Sequence, residues 1–316
     1  MAAKKIIAAA GATGAQGGAL VRAILADKGS AFTPRALTRK VDSEKAKALA
    51  AAGVEVVAVN LDDAASLRPA FAGAYGAFCL TNYGEHFSPE REIRKAENMA
   101  RAAKAAGLEH VIWSTLEDTR KWVPLDDARM PTLMGKYKVP HFDAKGEADR
   151  FFRDMGVPTT FLLTSFYWDN FIFFGSGPQR LPDGTLALTF PLDDKPLSAI
   201  AVEDIGKCSY GIFKRGREFI GKTIGIAGGH LTGSQMAAAL TRALGKEIRY
   251  NPVTPEVFRG LGFPGAEDLG NMFQFKRDFE SDYCGARSLE FTRSLNPELL
   301  TFDQWLAQNK DRIPLD

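Results

Sequence analysis

The chain has 316 residues, 45% of them apolar, with 40 Lys and Arg against 38 Asp and Glu. That is enough apolar material for one large or two modest cores, and a net charge of +2 leaves no electrostatic footprint for nucleic acid or an anionic membrane. No apolar run approaches the ~20 residues that span a bilayer, and three cysteines without C-x-x-C or His spacing argue against a disulfide framework or zinc site.

In chain order, short β-type runs alternate with amphipathic stretches as far as residue 164. The strands expected are 4–10, 35–38, 54–59, 76–81, 110–115 and 159–164. Helical periodicity fills the gaps, as in 88–106 and 141–155. The apolar start leads straight into a Gly-rich turn, so it reads as a first strand and not as a secretory signal. Six strands alternating with helices predict an α/β protein with a Rossmann-type, doubly wound parallel sheet over 1–164. After 165 the regularity fades through the aromatic run SFYWDNFIFF and the Gly/Pro-rich 175–184. Helices over 203–215, 232–244 and 298–311 and strands over 222–227 and 247–251 predict a smaller mixed α/β C-terminal lobe, 165–316, for substrate or partner, with the chain returning to the sheet edge.

GATGAQGG (11–18) follows the first strand and opens a helix. Gly11 would make the tight turn, Gly14 would admit a pyrophosphate to the backbone, and Gly17 would let helix and strand approach. Ala12, Thr13, Ala15 and Gln16 complete the loop, whose amides and helix N-terminus suit an anion; the alternative is an ordinary βα turn. The second strand ends LTRK, with no acid before Asp42 to hold a ribose diol. Arg39 and Lys40 suit a 2′-phosphate, so NADP(H) is favoured over NAD(H).

Together GATGAQGG, LTRK (37–40), LTNY (80–83) and HFDAKGE (141–147) resemble the NmrA-like family, atypical extended short-chain dehydrogenase/reductases. GVPTT (156–160), LGFPGAEDLGNMF (261–273) and LTFDQWL (300–306) extend the likeness over nearly the whole chain, toward the branch of NADP(H)-sensing redox regulators. The resemblance implies that Arg39 meets the 2′-phosphate and that Asn60 and Leu61 border the adenine. It implies that Thr81, Asn82 and Tyr83 line the nicotinamide side, and that Arg94 stands where the sensors carry a phosphate-contacting Lys. Lys145 would bond the nicotinamide ribose, and Tyr167, Trp168 and Asn170 would close over the ring. The segment 116–139, with Trp122, Arg129, Lys136 and Tyr137, is longer than the sensor branch leads one to expect.

Working reductases of this type carry Tyr-x-x-x-Lys, the Tyr giving a proton as hydride arrives. Here His141 stands four residues before Lys145. An imidazole beside an ammonium is a poorer acid at neutral pH, so His141 is open to a catalytic, a stacking or a helix-start role. Tyr83, Tyr137 or Tyr167 could supply a phenol from a loop, and Ser114 or Thr115 could polarise a carbonyl or merely bond backbone. The literal Tyr210-x-x-x-Lys214 follows the sixth strand and is a chance pattern.

Two functions remain from sequence. One is an NADP(H)-binding sensor, with loops 82–90 and 116–139 ordered by cofactor and read by a regulatory protein partner or a second subunit of a homodimer. The other is an NADPH-dependent reductase of planar quinone-like, imine or activated-alkene substrates, with Lys145, His141 and Tyr83 as its catalytic candidates. A DNA-contacting role lacks any helix-turn-helix signal or basic face. The compartment expected is cytoplasmic.

Overall fold

The computed structural model describes residues 3–315. Strand β1 (Lys5–Ala10) leads to α1 (Ala15–Ala26), β2 (Phe32–Thr38), α2 (Glu44–Ala51), β3 (Glu55–Ala58) and α3 (Ala64–Phe71). Then come β4 (Gly76–Cys79), α4 (Pro89–Ala105), β5 (His110–Thr115), α5 (Pro140–Asp154) and β6 (Thr159–Leu163). Irregular spacing follows: β7 (Phe166–Tyr167), α6 (Asn170–Phe173), β8 (Gln179–Arg180), β9 (Leu186–Phe190), β10 (Leu197–Ile200), α7 (Val202–Lys214) and β11 (Thr223–Gly225). The chain ends with β12 (Gly229–Leu231), α8 (Gly233–Leu244), β13 (Ile248–Pro252), α9 (Pro255–Arg259), α10 (Ala266–Asp278), α11 (Glu280–Gly285), α12 (Leu289–Leu295) and α13 (Phe302–Asn309).

The main sheet has seven strands in the order β11-β6-β5-β4-β1-β2-β3. From β3 to β6 every neighbouring pair is parallel. This is the Rossmann-type order, and it reverses beside β1, which lies between β2 and β4. A sheet covered on both faces needs continuous apolar strands, and Ile7–Ala10 are buried without alternation. Below the sheet, Trp113 of β5 stacks on Phe152 of α5 with ring centroids 5.2 Å apart.

The chain divides into two compact units. One runs through Asp118 and adds His141–Leu163 and Glu203–Ile224; the other takes Thr119–Pro140, Thr164–Val202 and the chain from Gly225. The first unit therefore holds the parallel sheet, with α7 and the edge strand β11 added after the sixth strand. The seventh strand joins where Phe161 N–H donates to Lys222 O at 2.9 Å and Gly221 N–H to Thr159 O at 2.7 Å. β2 begins three residues before the expected 35, because Pro34 sits inside it, in register with Ile7. The ring removes one donor there without ending the strand.

The second unit has two three-stranded sheets, β12-β10-β7 and β13-β9-β8. Its core is aromatic, with Phe166 and Phe190 in ring contact with each other and each with Phe171 and Phe273. The segment preceding α5 is not loose. Asn271 of α10 donates to the carbonyls of Pro131 (2.9 Å) and Lys138 (2.6 Å), and Gln274 donates to that of Arg129 (2.7 Å). No described helix is long and apolar enough to cross a membrane.

Candidate functional site

The carboxyl end of β1, at the reversal of strand order, carries the glycine loop. Gly11 takes φ +61°, a backbone state that a side chain disfavours, and its carbonyl accepts the Gly14 amide at 2.8 Å. Ala12, buried, donates its amide to Leu37 O at 3.2 Å, tying the loop to β2. A Cβ on Gly17 would overlap the Ala10 carbonyl and lie 2.7 Å from that of Gly11, so α1 can rest against β1 only because the residue is glycine. Thr13 Oγ1 meets Thr38 Oγ1 at 3.2 Å, and Ser114 Oγ donates to Gln16 Oε1 at 2.8 Å, which fixes the loop against β2 and β5.

The helices after the loop show how this first turn differs. Ser43, Asp63 and Ser88 cap α2, α3 and α4 with their own oxygens. Gly14 gives α1 no side-chain cap, Ala15 and Gln16 follow, and the first turn holds no acid. Amides open at a helix start, with a glycine backbone that an anion can approach closely, suit a diphosphate.

At the end of β2, Arg39 is 63% exposed and its guanidinium forks onto Glu85, Nη1 to Oε2 and Nη2 to Oε1, both at 2.8 Å. Lys40 is exposed beside it. Asn60 Oδ1 accepts the Asp62 amide (3.1 Å), and Asn98 of α4 holds Leu61 O at 2.9 Å. Arg94 is 3.6 Å from Asp62, which also takes Arg91 at 2.6 Å. The Arg91 hydrogen bond outweighs burial and lowers the Asp62 pKa. Arg39 and Arg94 are thus each matched to an acid on the first unit.

Beneath this rim lies a buried charge pair. Lys145 Nζ reaches Glu92 Oε1 at 2.7 Å, Thr81 Oγ1 at 2.6 Å and Thr81 O at 3.0 Å. An ammonium has three donors, so its capacity is fully used. Trp113 places its ring 5.3 Å from the same nitrogen. Glu92 is 0% exposed. Burial alone would raise its pKa, but the Lys145 ammonium and the hydrogen bonds around it prevail and hold it at about 2. Its second oxygen is 3.3 Å from His86 Nε2, while His86 Nδ1 accepts the Ser88 amide at 3.1 Å. Accepting at Nδ1 turns the Nε2 side of the ring toward the carboxylate.

Among the remaining candidates, Tyr83 is buried, with its ring 5.9 Å from that of His141, which also meets Phe142 edge-on at 4.8 Å. Asn82 is exposed, and its amide donates to Glu85 at 3.1 Å. Thr115 bonds Asp149 (2.7 Å) and Lys145 O (3.2 Å), which anchors α5 to β5. Thr81, Tyr83, His141 and Lys145 therefore come together at the carboxyl edge of β4 and the start of α5. Tyr167, Trp168 and Asn170 belong to the second unit. There Tyr167 meets Thr164 through hydroxyls 3.3 Å apart, Trp168 is buried against Phe302 and Trp305, and Asn170 begins α6. Tyr210 bonds Asp27 (2.8 Å) and Ser30 (2.9 Å), pinning α7 to the end of α1.

Glu92, His86 and Glu85 were not singled out from sequence. Glu92 left a trace: it shares the buried stripe of α4 with Ala96, Met99 and Ala103, at three- and four-residue steps. A carboxylate on a core-facing stripe requires a buried partner. Glu85 and His86 lie in a single helical turn and its exit, where no periodicity speaks for a side chain.

Strand order, switch-point glycines and an uncapped helix start define a Rossmann-type dinucleotide-fold protein. The sequence pattern of the NmrA-like family matches residues 3–306, and the chain belongs to that family. It is 28% identical to the NmrA-like family domain-containing oxidoreductase lnbB of Aspergillus flavus, over 94% of this chain and 95% of that one. It superposes on NmrA, a negative transcriptional regulator, in complex with NAD with a TM-score of 0.79 and 26% identity, covering 97% and 95% of the two chains. The NmrA complex with NADP gives the same TM-score at 25% identity and the same coverage.

Proposed function

We propose that this protein binds NADP(H) in preference to NAD(H) and acts as a redox sensor, its occupied state read by a partner protein or a second copy. Its glycine loop would hold the diphosphate, Arg39 the 2′-phosphate, and the Thr81–Tyr83 edge would face the nicotinamide. The nicotinamide would supply hydride chemistry if an acceptor were present; this chain's residues bind and orient it. One observation carries the reading: Lys145, the residue that should assist a proton donor, has all three N–H groups committed to Glu92 and Thr81. Four residues earlier stands His141, packed between Tyr83 and Phe142, in place of a phenol.

The kinship with an oxidoreductase over 94% of the chain favours a second reading, an NADPH-dependent reductase of quinone-like, imine or activated-alkene acceptors. Acceptors protonated by water or by His141 would not need the missing phenol. Titration with NADPH and NADH, followed by mixing with quinones, aldehydes, imines and enones, separates the two. Tight NADPH binding without cofactor oxidation supports the sensor, and oxidation at enzymatic rates overturns it.

A further inference from the structure

We infer that Glu85 is a specificity-determining residue: it occupies the guanidinium fork of Arg39 and must be displaced before a 2′-phosphate can enter. The inference rests on reading Arg39 as the 2′-phosphate seat. Both terminal nitrogens of Arg39 are spent on the two oxygens of Glu85, each at 2.8 Å. Carboxylate and phosphate present the same pair of oxygens to a guanidinium, so the fork serves one of them at a time. Neither residue is an accident of local sequence, since 46 positions separate them. A second donor, Asn82 Nδ2, holds the same Glu85 oxygen at 3.1 Å.

The discrimination follows from charge. NAD(H) carries a neutral diol where NADP(H) carries a phosphate, so NAD(H) can bind while the Arg39–Glu85 pair stays closed. NADP(H) must open the pair and place a dianion near the freed carboxylate. An exposed ion pair is weak, so the barrier is modest and the protein stays open to both dinucleotides with a ratio set by Glu85. The missing acid at the end of β2 is in this sense supplied from beyond β4.

Displacement also reaches the loop that carries Glu85. The turn Tyr83–Glu85 is followed by Phe87 at φ +49°, a left-handed state that costs a side-chain-bearing residue energy. The turn is held by Arg39 at Glu85, by the Tyr83 carbonyl, which accepts the His86 and Phe87 amides at 3.1 and 2.9 Å, and by the His86–Ser88 bond. Releasing the Arg39 anchor removes one of these holds and frees the Glu85 side chain, so a 2′-phosphate, and not a dinucleotide as such, loosens the surface around Asn82–Ser88.

The test measures dissociation constants of NADPH and NADH for the unaltered protein, Glu85→Gln, Arg39→Ala and the double variant. Glu85→Gln should tighten NADPH about fivefold and leave NADH within twofold. In the Arg39→Ala background the same change should help NADPH much less, because no ion pair is left to open and only the repulsion between carboxylate and phosphate is relieved. If Arg39→Ala collapses the preference but Glu85→Gln leaves the ratio unchanged, the role of Glu85 is refuted while the 2′-phosphate seat stands. If Arg39→Ala leaves the ratio unchanged, the seat is misassigned and the inference falls with it. Easier cutting of 82–88 by protease with NADPH, but not with NADH, is the second expected result; equal cutting refutes the release of the turn.

Discussion

Lys145 Nζ lies 2.7 Å from the Glu92 carboxylate, in a position where the acid is wholly shielded from solvent. The pair joins α5 to α4 beneath the end of β4 and leaves neither charge free for chemistry without reorganisation. Removing one partner leaves the other buried and uncompensated, at a cost of about 3–5 kcal/mol. Lys145→Met and Glu92→Gln should each lose stability on that scale in urea denaturation, and the double variant should lose much less than their sum. Additive losses would mean that the two groups do not interact.

Two buried groups set separate windows of acid sensitivity. Glu92 has a folded pKa of about 2 against 4.5 for an ordinary glutamate, so its stabilisation is present above 4.5 and lost as pH falls toward 2. A shift of that size corresponds to about 3 kcal/mol. His110, buried and 2.9 Å from Thr160 Oγ1, is lowered to about 4 from 6.5 because burial disfavours its charged form. The unfolded chain takes up that proton first, so stability falls as pH drops from 6.5 to 4. Denaturation followed against pH should show both phases, and Glu92→Gln should remove only the lower one.

Gly17→Ala tests the loop geometry. The new methyl would overlap the Ala10 carbonyl, which belongs to β1 inside the sheet and cannot yield cheaply. A loss of about 3 kcal/mol is expected, together with loss of dinucleotide binding in whatever folded fraction remains. Normal binding and stability would show that α1 is free to move away from β1.

Much of this was legible beforehand because parallel sheets write themselves plainly. Strand β5 spans the expected 110–115, α4 covers 89–105 within the expected 88–106, and the glycine loop stands where strand–turn–helix logic put it. The helix over 266–278 was hidden because its buried face carries Asn271, Gln274 and Lys276 as well as apolar residues. The buried network escaped for a related reason. Lys145 was readable from its motif, but its partner lies 53 residues earlier, on a helix with seven other charged residues. Sequence periodicity marks a buried face and says nothing about which distant charge it meets.

His141→Tyr installs the Tyr-x-x-x-Lys spacing and tests whether a phenol at position 141 is enough to support hydride transfer to these acceptors. Because Lys145 is committed to Glu92 and Thr81, the substitution by itself should produce no NADPH oxidation with quinones, imines or enones. Appearance of steady turnover in this variant, absent from the unaltered protein, would show that Lys145 is available to a phenol despite its contacts with Glu92 and Thr81.

The most direct measurement follows the hydride itself. The unaltered protein is saturated with NADPH deuterated on either face of C4 and incubated with imines and enones, and the products are examined for carbon-bound deuterium. Tight binding with no deuterium in any product is the predicted result. Deuterium delivered to carbon at a rate above that of the protein-free mixture would contradict the sensor reading and make this chain a reductase.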